Sequence, residues 1–143
     1  MENPTPPLAA ETEALVRAFA ALNRGDIAGV VASFDSEIER VEPDGFPTSG
    51  TYRGIEAVMA HFAKARDTWA EGTCEPRRFI VAGQRIVVLV DVHVRLHGKT
   101  DWLDGRVADV FTFRDGKVIH WRSFIDVDEA LAWAGVPLAM WNA

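Results

Sequence analysis

The side chains of this 143-residue chain best suited to chemistry are a few carboxylates set among apolar neighbours. Glu42 follows an alternating run from Glu37 and precedes the turn signal Pro43-Asp44-Gly45, so it falls at the end of a strand. A carboxylate that shuttles a proton needs a partly dry site that lifts its pKa toward working pH, and a strand end at a pocket mouth offers one. The alternative for Glu42 is a solvated loop position or a pairing with Arg40. Asp109, in RVADVFTF, shares a strand face with Val107, Phe111 and Phe113, because side chains on a strand alternate with a period of two. Such apolar company favours the neutral acid; the alternative is a buried anchor bonded to a neighbouring strand. Arg122 shares a face with His120, Phe124 and Asp126, where it either neutralises an acid in a pocket or forms a structural ion pair. His93 shares a face with Asp91 and can serve as acid or base. The four histidines, at 61, 93, 97 and 120, show no metal-ligand spacing, and the single cysteine, Cys74, excludes a paired-thiolate zinc site. No metal and no cofactor is expected.

These groups need elements to position them. Leu15, Ala18, Phe19 and Leu22 recur at helical steps until Asn23-Arg24-Gly25-Asp26 supplies a glycine stop and an aspartate cap. A short second helix then carries Ile27, Val30, Val31 and Phe34 on one stripe. After the strand ending at Glu42 and a loop through Pro47 and Gly50, residues 54–70 place Ile55, Val58, Met59, Phe62, Ala65, Arg66 and Trp69 on one side of a third helix. The period then switches to two. Residues 77–82, 85–97, 105–114 and 117–126 read as β-branched and aromatic strands joined by short turns, and FTFRDGKVIHW is the clearest hairpin. A short terminal helix over residues 128–133 stops at Gly135 and Pro137. Three helices followed by a meander of strands make an α+β fold, in which a curved mixed or antiparallel sheet wraps the helices and leaves a pocket at the open end of a cone.

ALNRGDIAGVVASF, TYRGIEAVMAHF, VADVFTFRDGKVIHWRSFID and the short terminal helix, in this order, resemble the nuclear transport factor 2-like superfamily and its SnoaL-like branch over roughly residues 11–136. The resemblance implies a cone-like α+β barrel, frequent dimerisation through the outer sheet face, and functions from isomerase, cyclase, dehydratase and epoxide hydrolase to plain ligand binding; fold alone does not choose among them. Glu42 before Pro43 is similar to the general base of bacterial ketosteroid isomerases, and Asp109 to the protonated acid that donates to the oxyanion in those enzymes. The tyrosine that completes their oxyanion hole has no counterpart, since its place falls near Ala18. KVIHWRSFIDVDE resembles the end of the limonene-type epoxide hydrolases, which makes Asp126 and Asp91 the matching carboxylates. The bridging arginine of that set is replaced by Leu89 and its asparagine by Glu42, with Arg122 or Arg95 left as substitute cations. The alternative for Asp126 is a cap on the terminal helix.

Phe19, Phe62, Trp69, Trp102, Phe111 and Phe124 are spaced to point between helices and sheet, which suits a hydrophobic or cyclic ligand, although ordinary core is the default for each alone. Trp121, Ser123 and Ile125 alternate to the other face, a candidate homodimer interface. The net charge of −6, with no basic cluster longer than Arg77-Arg78, argues against nucleic acid. The apolar run Ile86 to Val90 is far short of a membrane span. Acids and prolines at the start where a secretory signal needs basic and apolar residues, with one cysteine, predict a cytoplasmic protein. The expected organisation is a loose arm over residues 1–10 and one domain over 11–143. The expected function is cofactor-free, isomerase- or epoxide-hydrolase-like acid–base chemistry on a hydrophobic small molecule, with Glu42, Asp109, Asp126, Asp91 and Arg122 as catalytic candidates. Phe19, Phe62, Trp69, Trp102, Phe111, Phe124 and His93 are the candidate ligand contacts. The alternative is a non-catalytic binding or dimerisation module.

Overall fold

The computed structural model describes residues 6–141. Of the expected N-terminal arm, residues 1–5 lie outside the described residues. Helix α1 (Ala9–Asn23) buries Leu15, Ala18, Phe19, Ala21 and Leu22, the three- and four-residue spacing that gives a helix one apolar face. It stops where Gly25 takes φ +77°, a backbone region that glycine enters without steric cost. Asp26 then caps α2 (Ile27–Val30) by accepting from the Gly29 N–H at 3.0 Å. The second helix is shorter than its apolar stripe suggested, because Phe34 already opens strand β1 (Phe34–Glu42). A short strand β2 (Gly50–Arg53) lies where the sequence indicated only a loop. Helix α3 (Ile55–Asp67) ends short of Trp69, which instead starts β3 (Trp69–Ala82). Strands β4 (Arg85–Leu96), β5 (Leu103–Arg114) and β6 (Lys117–Phe124) complete the sheet. Helix α4 (Val127–Ala134) follows, and a single turn of tighter helix (Leu138–Met140) comes last.

The six strands form one sheet in the order β2-β1-β6-β5-β4-β3. Only β1 and β6 run parallel; every other neighbouring pair is antiparallel. The sheet is mixed and open, with β2 and β3 at its edges, rather than closed into the barrel expected from sequence. Early in β3 the register slips between Trp69 and Glu71, and Gly72 takes φ +118°, where a Cβ would collide with the backbone of His93 and Val94, so no side chain fits there.

Both sheet faces are covered. On the inner face α1 and α3 pack against Ile38, Val88, Phe111 and Trp121. On the outer face α4 lays Ala130, Leu131 and Ala134 over Val87, Val110 and Phe124. Full burial of one such side chain stabilises the fold by about 1.5–3 kcal/mol. Trp121 and Ser123, expected on an outer dimer-forming face, therefore lie on the inner one, and of that trio Ile125 alone is exposed. Among the described residues no helix is long and apolar enough to cross a membrane.

Candidate functional site

Between α1, α3 and the inner sheet face lies a cavity of about 150 Å³. Phe19 and Leu22 from α1, Phe62 from α3 and Val90, Val92 and Val107 from the sheet form an apolar wall. Trp69 lines it without filling it, and Leu96 and Leu103, which flank the β4–β5 connection, reach its exposed rim. The polar residues gather at the other side. Period two along β1 turns Ile38, Arg40 and Glu42 inward, and the same alternation does so for Asp109 on β5 and for Trp121 and Ser123 on β6. His61 arrives from α3, one turn beyond Val58 on the buried stripe.

Glu42, only 9% exposed, is held on several sides. Thr48 donates its hydroxyl to Oε2 at 2.9 Å, His61 Nε2 stands 2.7 Å from the same oxygen, and Arg40 Nη2 stands 3.8 Å from Oε1. The His61 contact is at ion-pair distance, yet its ring N–H is not aligned to donate a hydrogen bond. His61 is fixed from behind by stacking on Tyr52, with ring centroids 3.9 Å apart, and the Tyr52 hydroxyl donates to the Thr48 carbonyl. Burial pushes the Glu42 pKa up, but His61, the Arg40 charge and the Thr48 hydroxyl together outweigh it and hold the carboxyl below its ordinary range. The sequence expectation that a dry mouth would lift this acid is thus reversed by its neighbours.

Asp109, 4% exposed, goes the other way. Burial raises its pKa and outweighs the opposing Arg40 charge and the Ser123 hydroxyl. Ser123, its cross-strand partner, donates to Oδ1, while Oδ2 takes no hydrogen bond among the described residues. Between the two acids Arg40 lies flat over Trp121, its guanidinium carbon 4.6 Å from the ring centroid. Its Nη1 donates to the Val41 carbonyl at 2.8 Å and more weakly to the Trp121 carbonyl at 3.4 Å. Burial draws the Arg40 pKa down against the pull of Glu42 and Asp109.

Other candidates lie elsewhere. Asp91 is on the outer face, bridging Arg77 and Arg106 at 2.8 and 3.0 Å, because odd positions of β4 point away from α1 and α3. Asp126 caps α4, accepting from the Glu129 N–H at 3.2 Å. Arg122 faces outward over Phe124 and Trp133. Phe124 belongs to the core beneath α4, and Phe111 to the packed inner core behind the cavity wall. His93 and Trp102 are exposed and stack on each other at 4.2 Å. The epoxide-hydrolase-like pair is therefore not brought together, whereas Glu42 and Asp109 are. Phe19, Phe62 and Trp69 line the cavity as expected from their spacing. Thr48, His61, Trp121 and Ser123 were not singled out for it. His61 carried a signal, since it sits between Val58 and Phe62 on an apolar helical stripe. Among the described residues, no three His, Cys, Asp or Glu side chains converge as a metal-ligand group.

An open sheet wrapped on helices around an acid-tipped apolar cavity is the architecture of the nuclear transport factor 2-like superfamily. Within it the chain belongs to the SnoaL-like domain family, whose pattern residues 15–121 match. A nuclear transport factor 2-like protein from Burkholderia xenovorans LB400 is 31% identical, with a TM-score of 0.69 over 87% of this chain and 94% of its own. One of unknown function from Burkholderia pseudomallei K96243 is 24% identical, with a TM-score of 0.74 over 87% and 96%. A putative SnoaL-like polyketide cyclase from Jannaschia sp. CCS1 is 17% identical, with a TM-score of 0.74 over 96% and 99%. No protein of curated function matches the chain in sequence.

Proposed function

We propose that this protein is a small enzyme that moves protons on a hydrophobic, ring-bearing molecule held in the inner cavity. One observation carries the proposal: two carboxyl groups meet at the polar side of one apolar cavity in surroundings that push their pKa values apart, Glu42 downward through His61, Arg40 and Thr48 and Asp109 upward through burial. Carboxyls whose surroundings push their pKa values apart can divide the roles of base and acid. The ionised Glu42 takes a proton from carbon beside a carbonyl, and the electron pair moves onto the carbonyl oxygen. The proton on Asp109 Oδ2 then stabilises that oxygen by hydrogen bonding, and Glu42 returns its proton to the same or a neighbouring carbon. A carboxylate held below its usual pKa is a weak base. It suits a proton already acidified by an adjacent carbonyl, and it remains ionised into mildly acid solution.

Hydrogen–deuterium exchange tests the reading directly. Cyclic and aryl ketones in deuterated buffer are expected to gain deuterium at the carbon next to the carbonyl faster with the protein than without it. Glu42→Gln abolishes the gain, and Asp109→Ala, which leaves no donor at that place, lowers it by about 10²–10³-fold, as for a lost oxyanion donor. Ketones that bind but exchange only at the uncatalysed rate would sink the enzyme. They would favour the second reading, a binding module, which draws support from the protein groups already surrounding the Glu42 carboxylate.

A further inference from the structure

The polar side of the cavity holds more hydrogen-bond donors than it uses. Four buried side-chain nitrogens find no hydrogen-bond partner among the described residues: Arg40 Nε, His61 Nε2, His120 Nδ1 and Trp121 Nε1. Three belong to residues lining this one cavity. His61 Nε2 at least has Glu42 at 2.7 Å, whereas Arg40 Nε makes no hydrogen bond and Trp121 Nε1 has only the Asp109 carboxyl nearby. The Trp121 indole N–H lies beside the Asp109 carboxyl without being aligned to donate to it. Arg40 spends only Nη1 on carbonyls, and its nearest carboxylate oxygen is 3.8 Å away on a group engaged more closely by Thr48 and His61. A buried guanidinium so loosely paired is costly, and an unmade hydrogen bond in such a place is strained chemistry awaiting an acceptor. The fully buried side-chain atoms left without a partner are all nitrogens among the described residues, although Asp109 Oδ2 also takes no hydrogen bond.

We propose that this site selects hydrophobic ring acids, seating an ionised ligand oxygen against Arg40 and Trp121 with the ring along Phe62 and Trp69. The inference rests on the reading of the cavity as a small-molecule site and adds the ligand's charge to it. Arg40 supplies the charge and Trp121 a directed N–H, and the stack between them fixes both donors in place. Cavities of about 150 Å³ hold one aromatic ring, so single-ring acids are the first class to fit. Glu42 repels an anion, and the preference exists only because Arg40 and the neutral donors outweigh it.

Isothermal titration of the intact protein with 4-ethylbenzoate and with 4-ethylacetophenone, matched in shape but differing in charge, provides the test. The acid is expected to bind at least about tenfold more tightly at pH 7, a difference of about 1.4 kcal/mol. Arg40→Met is expected to erase that margin, and Arg40→Lys to keep part of it. Equal affinities, or a ketone that binds more tightly, overturn the inference whether or not Arg40→Met folds, and so does a failure of both probes to bind. The outcomes separate from those of the catalytic reading. An acid preference without deuterium exchange sustains this inference and removes the enzyme, whereas exchange on ketones without an acid preference does the reverse.

Discussion

Replacing Asp109 with Asn isolates the proton on which the proposed chemistry depends. Asn retains an oxygen to accept from Ser123 and nearly the same volume, but it cannot ionise. In the unfolded chain the aspartate titrates near 3.8, and burial raises the folded value above that. As pH climbs past 3.8 the unfolded state gives up a proton that the folded state keeps, so the wild type loses stability until the folded value is passed. One proton's difference amounts to about 1.4 kcal/mol per pH unit, and the wild type loses stability with that limiting slope relative to Asp109→Asn wherever the folded state keeps the proton that the unfolded chain has given up. Other groups do not blur this comparison. Glu42, lowered from 4.5, costs stability only as pH falls below that value, and His120, lowered from 6.5, is common to both proteins and cancels in the difference. Urea unfolding at several pH values measures the gap. With a denaturant slope of roughly 2 kcal/mol/M, the midpoint of the variant should rise relative to the parent by up to about 0.7 M per pH unit. A difference that stays flat from pH 5 to pH 7 would falsify the assignment. It would mean that Arg40 keeps Asp109 ionised, and the oxyanion-donor role would fall with it.

Three further outcomes separate the cavity from its surroundings. Asp91→Asn breaks the outer-face bridge to Arg77 and Arg106 and is expected to leave both deuterium exchange and the urea midpoint unchanged within error; a loss of exchange would restore Asp91 to the site. Asp126→Ala removes the α4 cap, so unfolding measurements should show a loss of about 1 kcal/mol with ligand affinity unaltered. Cys74, a half-buried thiol that burial pushes up to about 12, should react with iodoacetamide at pH 8 far more slowly in the native protein than after urea unfolds the chain, and equal rates in the two states would contradict that shift.

The sequence exposed the parts of this fold whose hydrophobic period has one solution. Helix α1, the stripe on α3 and the β5–β6 hairpin were legible because one face is apolar and a turn fixes the ends. Which way the side chains of β6 point was not legible, since Val118, Trp121, Ser123 and Phe124 are all buried: the inner face meets α1 and α3 and the outer face meets α4. A strand covered on both sides gives no alternation to read, and a register shift between Thr112 and Phe113 further separates parity from position. That is why Trp121 and Ser123 were assigned outward and Arg122 inward. Strand β2 escaped notice because four residues beside Pro47 and Gly50 look like loop until β1 offers them a partner. Asp109 was legible from its apolar neighbours. The direction of the Glu42 shift was not, because it depends on His61, which is distant in sequence.

The parallel seam between β1 and β6 also orders events in time. Arg40 meets Trp121 across 81 residues of chain, and the strands on either side of that seam are the first and the last to be made. A nascent chain that has emerged only through β5 already carries Arg40, Glu42 and Asp109 but lacks the strand that joins β1 to β5 and brings Trp121 and Ser123, which leaves an exposed apolar surface prone to association. Closing a contact of such sequence separation is a slow step in folding. Ligand bound across the seam therefore holds back unfolding of the finished protein and does not hasten its first assembly.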